Sequence, residues 1–218
     1  MRRHDWVYPR EYARLLQSRT ADRDAIRFTH DWIAQRRPLV ATRQSIADDT
    51  VALGLALPPG YATRRLACAL RREDVGHHRG PLGVEEVAQV LTANDRRALR
   101  RLQGALASPG FVIGVYGSTA WQCVSGLSYR HEGSDIDVVC DATSDALGTR
   151  DVDACLRALD VAARDLTSRL DGEIRFADGR AVAWRELARA CAASKGVVLA
   201  KGERDVALVP WQRLVEPA

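Results

Sequence analysis

The sequence lacks any apolar run of the roughly 20 residues that a membrane-spanning helix needs. Its longest uncharged stretches, such as the one from Phe111 to Arg130, are interrupted by glycine, serine and glutamine. The N-terminal Met-Arg-Arg-His-Asp-Trp is not followed by an apolar run and does not have the pattern of a secretory signal. We therefore expect a cytoplasmic protein that does not cross a bilayer.

Cysteine and lysine are also scarce. The five cysteines lie far apart and form no Cys-x-x-Cys pair, which favours reduced, mostly buried thiols over a disulfide framework. Lysine supplies two of the 32 basic residues and arginine the other 30, and the planar guanidinium suits phosphate groups. The content of 46% hydrophobic and 28% charged residues is that of a globular protein, which excludes collagen, disorder and coiled-coil arrays.

The formal charge of +4 is divided unevenly along the chain. Residues 1–110 hold 19 arginines against 12 acidic residues, a net charge of +7, whereas residues 111–218 carry a net charge of −3. A basic half suits polyanions and an acidic half suits cations. The distribution therefore predicts an anion-binding surface in the first half and a cation-binding site in the second. A random scatter of charge is the alternative interpretation.

The pattern predicts two domains, residues 1–79 and 80–218, in an α/β fold of the α+β type. The boundary falls in a predicted linker, His77–Pro81. The first domain is small and rich in arginine, and the second is expected to contain a short mixed sheet. Helical spacing predicts helices over Arg10–Leu16, Ala25–Ala34, Gly83–Leu91, Asn94–Leu106 and Asp151–Leu170. Strand patterns cover residues 6–9, 38–42, 64–70, 111–116, 134–140, 173–176, 180–184, 196–200 and 205–209.

The most informative stretch is a predicted strand, Phe111–Tyr116, followed by Gly117–Ser118 and then by Asp135 and Asp137 on another strand. Residues i and i+2 of a strand project from the same face, so the two carboxylates lie roughly 7 Å apart and can hold a divalent ion. Mg²⁺ is the expected ion, with Mn²⁺ as the alternative, because Mg²⁺ often takes one or two carboxylates together with substrate phosphates. A glycine–serine turn at a helix N-terminus offers N–H groups and a hydroxyl to a phosphate. These features predict a site for a metal-bound di- or triphosphate.

This arrangement resembles the nucleotidyltransferase superfamily that includes DNA polymerase β, whose signature is a strand, Gly-Ser, a short helix and Asp-x-Asp on the next strand. The resemblance implies a polymerase-β-like second domain and a third carboxylate from a later strand. Glu173 is our candidate, because Ile174 and Phe176 would then face the core. Asp171 lies two residues earlier on the same face and competes with it, and Glu186 is a weaker candidate.

A closer resemblance covers almost the whole chain. The motifs that carry it are Arg3–Asp5, Arg37–Val40, Gly54–Pro58, Tyr116–Gln122, Ser134–Asp137, Asp171–Glu173 and Ala183–Glu186. Together they resemble the malonate decarboxylase holo-acyl-carrier-protein synthase family, also called phosphoribosyl-dephospho-CoA transferase. Gly-Ser-x-Ala-Trp-Gln with a downstream Asp-Gly-Glu and Trp-Arg-Glu is much rarer than Gly-Ser with Asp-x-Asp, so the resemblance is specific.

The family resemblance implies transfer of phosphoribosyl-dephospho-CoA from 2′-(5″-triphosphoribosyl)-3′-dephospho-CoA to a serine of the acyl-carrier subunit of malonate decarboxylase, with release of diphosphate. Asp135 and Asp137 would hold two Mg²⁺ ions, and Glu173 would complete the metal site or accept the serine proton. Gly117 and Ser118 would bind the leaving phosphates. Further substrate contacts are expected from three basic side chains, Arg43, Arg64 and Lys201.

Two other functions remain open at this level. Within the same chemistry, the chain could be an adenylyltransferase or another nucleotidyltransferase acting on a small molecule, a protein or RNA. From a different class, it could be a non-catalytic module that binds nucleotides or nucleic acid, which its basic charge would fit. Such a module has no need of paired carboxylates beside a glycine–serine turn, so we expect an enzyme, with neither nucleic acid nor a membrane as its partner.

Overall fold

The structure, a computed structural model, describes residues 1–17, 22–44, 49–193 and 196–215. The chain divides into two units, one formed by Met1–Pro81 with Val124–Tyr129 and the other by Leu82–Cys123 with Arg130–Ala218. The predicted boundary after residue 79 falls two residues before the end of the first segment of this unit. The segment Val124–Tyr129 lies in the range predicted for the second domain. That segment is tied there because the Tyr129 hydroxyl donates a 2.9 Å hydrogen bond to the carbonyl of Ala56.

The first unit contains a six-stranded antiparallel sheet. Its strands are β1 (Trp6–Pro9), β2 (Leu16–Gln17), β3 (Leu39–Ala41), β4 (Thr50–Ala56), β5 (Arg65–Arg71) and β6 (Val75–Arg79), in the order β2-β5-β4-β3-β1-β6. Along β4 every second side chain is buried, as expected for a strand with one face on a core. The α-helix within its described residues is α1 (Arg23–Ala34), whose N-terminus is capped because the Asp22 carboxylate accepts hydrogen bonds from the N–H groups of Asp24 and Ala25.

Two predictions for this unit are wrong. The stretch Arg10–Leu16 is not a helix: Tyr12 adopts a left-handed φ of 68°, which interrupts a right-handed helix, and Leu16 begins β2. His77–Pro81 is not a linker, since residues 77–79 lie in β6, which pairs with β1. The side chains of β6 are mostly exposed on an edge of the sheet, so the strand lacks the apolar alternation by which it could be predicted.

The second unit contains a six-stranded mixed sheet and four helices within its described residues. The strands are β7 (Phe111–Tyr116), β8 (Ile136–Ala142), β9 (Leu170–Arg175), β10 (Ala181–Ala183), β11 (Val197–Lys201) and β12 (Val206–Pro210), in the order β12-β11-β10-β9-β8-β7. The helices are α2 (Ala93–Ala107), α3 (Gly117–Ser125), α4 (Thr149–Asp165) and α5 (Trp184–Ala192). Strands β8 and β9 are parallel and the other neighbours are antiparallel. The predicted α+β fold class is thus confirmed.

The two faces of the second sheet differ in character. Ile136, Val138 and Cys140 alternate along β8 and are fully buried. Helix α2 contacts β7, and α5 contacts β9, β10 and β11. Because side chains alternate along a strand, Asp137 of β8 lies on the opposite face. The half-buried Asp137 shares that face with Val139, which is fully buried, so the face is only partly open to solvent.

Several predictions for the second unit need correction. The helix predicted over Gly83–Leu91 is wrong: the stretch forms turns with a single 3-10 turn, and the Gly83 N–H donates to the Glu86 carboxylate. The chain leaves the helical conformation after Asp165, since Leu166 has ψ of 145°, so α4 is shorter than predicted. The strand predicted through Trp184 ends at Ala183, and α5 begins at Trp184.

None of the helices within the described residues is long and apolar enough to cross a membrane. The five cysteines are all free, in agreement with the predicted reduced thiols. Burial raises the pKa of Cys68 to about 12 and that of Cys191 to about 11. Thiols with such raised pKa values carry little thiolate at neutral pH and are poor nucleophiles.

Candidate active site

The predicted strand–turn–helix is present and places Gly117 against Asp137. Strand β7 ends at Tyr116, which lies opposite Asp137 in the antiparallel register, and α3 begins at Gly117 with φ of 67°. A Cβ atom on Gly117 would lie 1.8 Å from Asp137 Oδ2. Glycine is therefore required twice, for the left-handed backbone and for the close approach of the carboxylate.

The parallel register of β8 and β9 sets which acidic side chains are neighbours. Asp137 lies directly opposite Asp171, and the next residue on the same face, Val139, lies opposite Glu173. Asp171 is half-buried and its Oδ1 accepts a 2.8 Å hydrogen bond from the N–H of Gly172. Asp171 therefore belongs to the row of Asp137, and Glu173 belongs to the next row.

Asp135 precedes β8 and is held by a turn and an ion pair. The Ser134 hydroxyl accepts a 2.9 Å hydrogen bond from the N–H of His131, and the Ser134 N–H donates back to the His131 carbonyl. Arg169, just before β9, lies 2.9 Å from Asp135 Oδ2. The Asp135 side chain is 32% exposed and that of Arg169 67%, so this pair is open to water and contributes little to stability.

Glu173 is buried and engaged with Lys201. Its side chain is 7% exposed, and its Oε1 accepts a 2.8 Å hydrogen bond from Lys201 Nζ. The structure thus joins the predicted third carboxylate to a lysine that was predicted to contact substrate. Glu186, the weaker candidate, accepts a 2.6 Å hydrogen bond from the N–H of Leu199, which links α5 to β11.

The predicted phosphate contacts lie in different places. Ser118 is half-buried in the first turn of α3, where N–H groups at the helix N-terminus lack intrahelical partners. Arg43 and Arg64 are exposed in the first unit and form no ion pair within the part of the chain that the structure describes. The first unit also holds a cavity of about 610 Å³ whose lining includes three further arginines, Arg10, Arg14 and Arg36.

The carboxylate oxygens are ligands of the kind that a divalent ion prefers, although they do not form a complete ligand set. Over the described ranges, no group of three or more His, Cys, Asp or Glu side chains is placed to hold a metal ion. Mg²⁺ does not need such a group, because it commonly binds one or two carboxylates and takes its other oxygens from water and phosphates. Asp137 and Asp171, side by side in the register, meet that requirement.

Sequence reasoning missed two polar residues that order this region, Asp95 and Arg130. Asp95 of α2 is fully buried, and its carboxylate accepts hydrogen bonds of 2.7 and 2.8 Å from the N–H and hydroxyl of Thr167. Burial acts to raise the pKa of Asp95, but the hydrogen bonds from Thr167, Thr92 and Ser168 outweigh it and hold that pKa below its ordinary value. In the sequence, Asp95 shows only the pattern of an acidic residue in a first helical turn.

Replacement of Asp95 by Asn should lower the free energy of unfolding at neutral pH. It should also make that free energy less dependent on pH in the acid range. A carboxyl group with a lowered folded-state pKa stabilises the fold above its unfolded pKa, and this contribution is lost as pH falls through the folded pKa. We expect the free energy of unfolding of Asp95→Asn to be about 1.5–3 kcal/mol lower at pH 7, the usual range for hydrogen bonds to a charged group. The difference should shrink below pH 3.8, the ordinary pKa of this group.

Urea unfolding of the wild type and the variant between pH 2.5 and 7 measures this effect, with Asp160→Asn as the control. Asp160 is an exposed carboxylate of α4 whose partner is Arg164, four residues later. A stability gap between wild type and Asp95→Asn that stays constant down to the lowest pH would contradict the prediction.

Comparison with known proteins agrees with the motifs. A family profile described as phosphoribosyl-dephospho-CoA transferase MdcG C-terminal domain matches residues 83–212, and one described as phosphoribosyl-dephospho-CoA transferase MdcG N-terminal domain matches residues 2–81. A phosphoribosyl-dephospho-CoA transferase of Bradyrhizobium diazoefficiens is 34% identical over 190 residues, which cover 85% of this chain and 81% of that protein. Those of Xanthomonas campestris pv. campestris and Pseudomonas fluorescens are 33% and 31% identical, over 72% and 86% of this chain and 73% and 86% of their own lengths. No solved structure matches the chain.

The mixed sheet with its glycine turn and paired carboxylates, taken with these matches, is that of an enzyme of the transferase class. The chain belongs to the phosphoribosyl-dephospho-CoA transferase family. The family resemblance of the sequence motifs is therefore confirmed.

Proposed function

We propose that this chain transfers the phosphoribosyl-dephospho-CoA group from 2′-(5″-triphosphoribosyl)-3′-dephospho-CoA to a serine of the acyl-carrier subunit of malonate decarboxylase. The serine oxygen attacks the α-phosphorus of the triphosphate, the bond from that phosphorus to the bridging oxygen breaks, and diphosphate leaves. The serine proton passes to a carboxylate of the site, and a phosphodiester remains. The observation that carries the proposal is the contact of Gly117 with Asp137 at a helix N-terminus, in a chain that belongs to this family.

The carboxylates would hold Mg²⁺, with Mn²⁺ as the alternative. Asp135 and Asp137 are the first candidates, and their carboxylate oxygens suit either ion. When bound, the metal supplies a Lewis acid that lowers the pKa of the attacking hydroxyl and neutralises charge on the phosphates. The ion pair of Arg169 with Asp135 is exposed, so Arg169 can turn away to water or phosphate when the site fills.

Gly117 and Ser118 are proposed to bind the departing phosphates. The N–H groups that open α3 carry the positive end of the helix dipole, and they lie next to Asp137. The Ser118 hydroxyl can donate a further hydrogen bond. Lys201 is a weaker candidate for a phosphate contact, because its ammonium group already donates a hydrogen bond to the Glu173 carboxylate.

The two candidates for the third carboxylate, Glu173 and Asp171, can be separated by paired variants. The register places Asp171 beside Asp137, so we expect Asp171→Asn to weaken Mn²⁺ binding and turnover. The loss should be at least as large as the about 10–100-fold that follows removal of an outer-shell partner. Glu173→Gln should leave Mn²⁺ affinity within about threefold and lower the free energy of unfolding by about 1–3 kcal/mol, because Lys201 loses its charged acceptor.

Calorimetric titration with Mn²⁺ and urea unfolding of both variants measure these two effects. The reverse result, with metal affinity lost in Glu173→Gln and retained in Asp171→Asn, would identify Glu173 as the ligand.

The proposed reaction is tested by incubating the chain with Mg²⁺, the triphosphoribosyl donor and the apo carrier subunit. Intact-mass spectrometry should show the mass of the prosthetic group on the carrier, in equal amount to the diphosphate released. A carrier whose acceptor serine is replaced by alanine is the control and should gain no mass. Absence of transfer from this donor, together with transfer from ATP, would overturn the donor assignment in favour of an adenylyltransferase.

The non-catalytic alternative has a different signature. A module that binds nucleic acid through its arginines should bind RNA with an affinity that falls steeply with salt concentration. Strong RNA binding without transfer from any nucleotide donor would support that alternative. The family disfavours it, because the relatives that match this chain carry the name of a transferase.

A further inference from the structure

One arginine, Arg130, connects three segments of the second unit. Its NH1 donates to the Thr119 hydroxyl in the first turn of α3, and also to the carbonyl of Asp135 at 3.4 Å. Its NH2 donates to the Ser168 hydroxyl at 3.2 Å, just before β9. A single guanidinium thus joins the turn of Gly117–Ser118, the approach to Asp137 and the approach to Asp171.

The acceptors of this guanidinium are all neutral. They are two hydroxyls and a backbone carbonyl, and within the described residues no carboxylate pairs with Arg130. Other arginines of the unit pair with carboxylates, for example Arg175 with Asp141 and Arg101 with Asp165. A half-buried cation that donates hydrogen bonds to three segments, and not to one counterion, contributes geometry more than ion-pair energy.

Each of these segments is itself fixed. Thr119 is fully buried on α3. The backbone N–H of Arg130 donates a 2.9 Å hydrogen bond to the side chain of Gln122, which also lies on α3. This bond holds the backbone of Arg130 against the helix. Ser168 donates 3.4 Å to the buried Asp95 of α2, so the third segment is anchored in the core. The chain of contacts therefore runs from the core to the carboxylate row.

We propose that Arg130 is the positioning residue of the active site, which sets the distance between the Gly117–Ser118 turn and the row of Asp137 and Asp171. It acts through these segments and does not touch the reacting atoms. The proposal deepens the function proposed above and rests on it. A guanidinium is suited to the task because its fork makes several hydrogen bonds in fixed directions, which the single ammonium of a lysine does not.

The test uses three variants of Arg130 and its partner, with a matched control elsewhere. Arg130→Met removes the fork, Arg130→Lys keeps the charge without the geometry, and Thr119→Val removes one acceptor at nearly constant volume. Arg101→Met is the control, because Arg101 joins α2 to Asp165 by a 2.9 Å ion pair in the same unit. Mn²⁺ affinity by calorimetry, thermal melting, and kcat and KM for the donor are measured for each.

We expect Arg130→Met to lower Mn²⁺ affinity by about tenfold or more, and kcat by about 100-fold, with a smaller change in KM. Arg130→Lys should recover only part of the kcat. Thr119→Val should lower Mn²⁺ affinity and kcat less than Arg130→Met does. The double variant that combines Arg130→Met with Thr119→Val should lose no more of either than Arg130→Met alone, since both changes remove the same contact. Arg101→Met should keep Mn²⁺ affinity and kcat within about twofold of the wild type.

Two results would overturn the proposal. Wild-type Mn²⁺ affinity and kcat in Arg130→Met would show that the three segments keep their places without the arginine. An increase in KM at unchanged kcat would show that Arg130 contacts the donor directly. Should Arg130→Met fail to fold, Thr119→Val and Ser168→Ala remove its two hydroxyl acceptors one at a time, and wild-type values in both would also overturn it.

The metal titration separates this proposal from the proposed function. If the wild type does not transfer the group from the donor, but Arg130→Met still weakens Mn²⁺ binding relative to Arg101→Met, the function is wrong and the positioning role stands. If the wild type transfers the group and Arg130→Met matches it in both measurements, the function stands and the positioning role is wrong.

Discussion

Replacement of Asp137 by Asn should reduce transfer by about 10³-fold or more while leaving the fold intact. A metal ion bound to phosphate contributes several kcal/mol of transition-state stabilisation, and each 1.36 kcal/mol corresponds to a factor of ten in rate. Asp137 is the carboxylate that contacts Gly117 and lies opposite Asp171, so its loss removes the carboxylate that lies next to both. Asparagine keeps the shape of the side chain, and we therefore expect the free energy of unfolding to change by less than about 1 kcal/mol.

The measurement is diphosphate release at saturating donor and carrier, together with urea unfolding. Asp160→Asn serves as the control, since it removes the same charge from an exposed ion pair on α4 and should retain full activity. If Asp137→Asn kept more than a tenth of the wild-type rate, the metal role proposed for this carboxylate would have to be abandoned.

Replacement of Gly117 by Ala is expected to abolish most activity for a steric reason. The new methyl group would lie 1.8 Å from Asp137 Oδ2, far inside contact distance, so the carboxylate must move away. A displacement of about 1 Å at a reacting centre lowers the rate by about 100-fold. Stability should fall by only about 1–2 kcal/mol, the cost of a left-handed backbone for a residue with a Cβ, because the short side chain of Asp137 can turn.

Gly179 provides a matched control for the backbone part of this effect. It has φ of 84° in the hairpin between β9 and β10, and a Cβ there would meet nothing within 4 Å. Gly179→Ala should therefore lose a similar amount of stability and keep its activity. Equal activity in the two alanine variants would mean that the contact of residue 117 with Asp137 has no role in catalysis.

The local parts of the site were predictable because they depend on short stretches of sequence. A β-rich run that ends at Gly117–Ser118 predicts a strand followed by a turn, and the structure has β7 followed by α3. Asp135 and Asp137, two residues apart, predict carboxylates on the same side; in the structure Asp137 lies in β8 between the buried Ile136 and Val138, whereas Asp135 precedes the strand. The family could be inferred for the same reason, since its motifs are short and contiguous.

The errors occurred where burial or long-range pairing overrides a local pattern. Residues 77–79 have the composition of a linker, yet they form a strand because β1 offers them backbone partners. Asp95 and Arg130 carry no motif of their own. Their importance comes from Thr167 and Ser168, which are more than thirty residues away in the sequence and adjacent in space.

The sequence by itself predicted the family and the α+β class, which are both confirmed, and it proposed Asp135 and Asp137 as the paired carboxylates of the site. Only the tertiary structure decided which carboxylate stands beside Asp137, because the register is a pairing between β8 and β9, which α4 separates in the sequence, and neither strand alone shows it. That register places Asp171 in the row of Asp137 and sets Glu173 one step away, where it meets Lys201. Residue types can thus be read along the chain, but their distances are fixed by hydrogen bonds between strands that are distant in sequence.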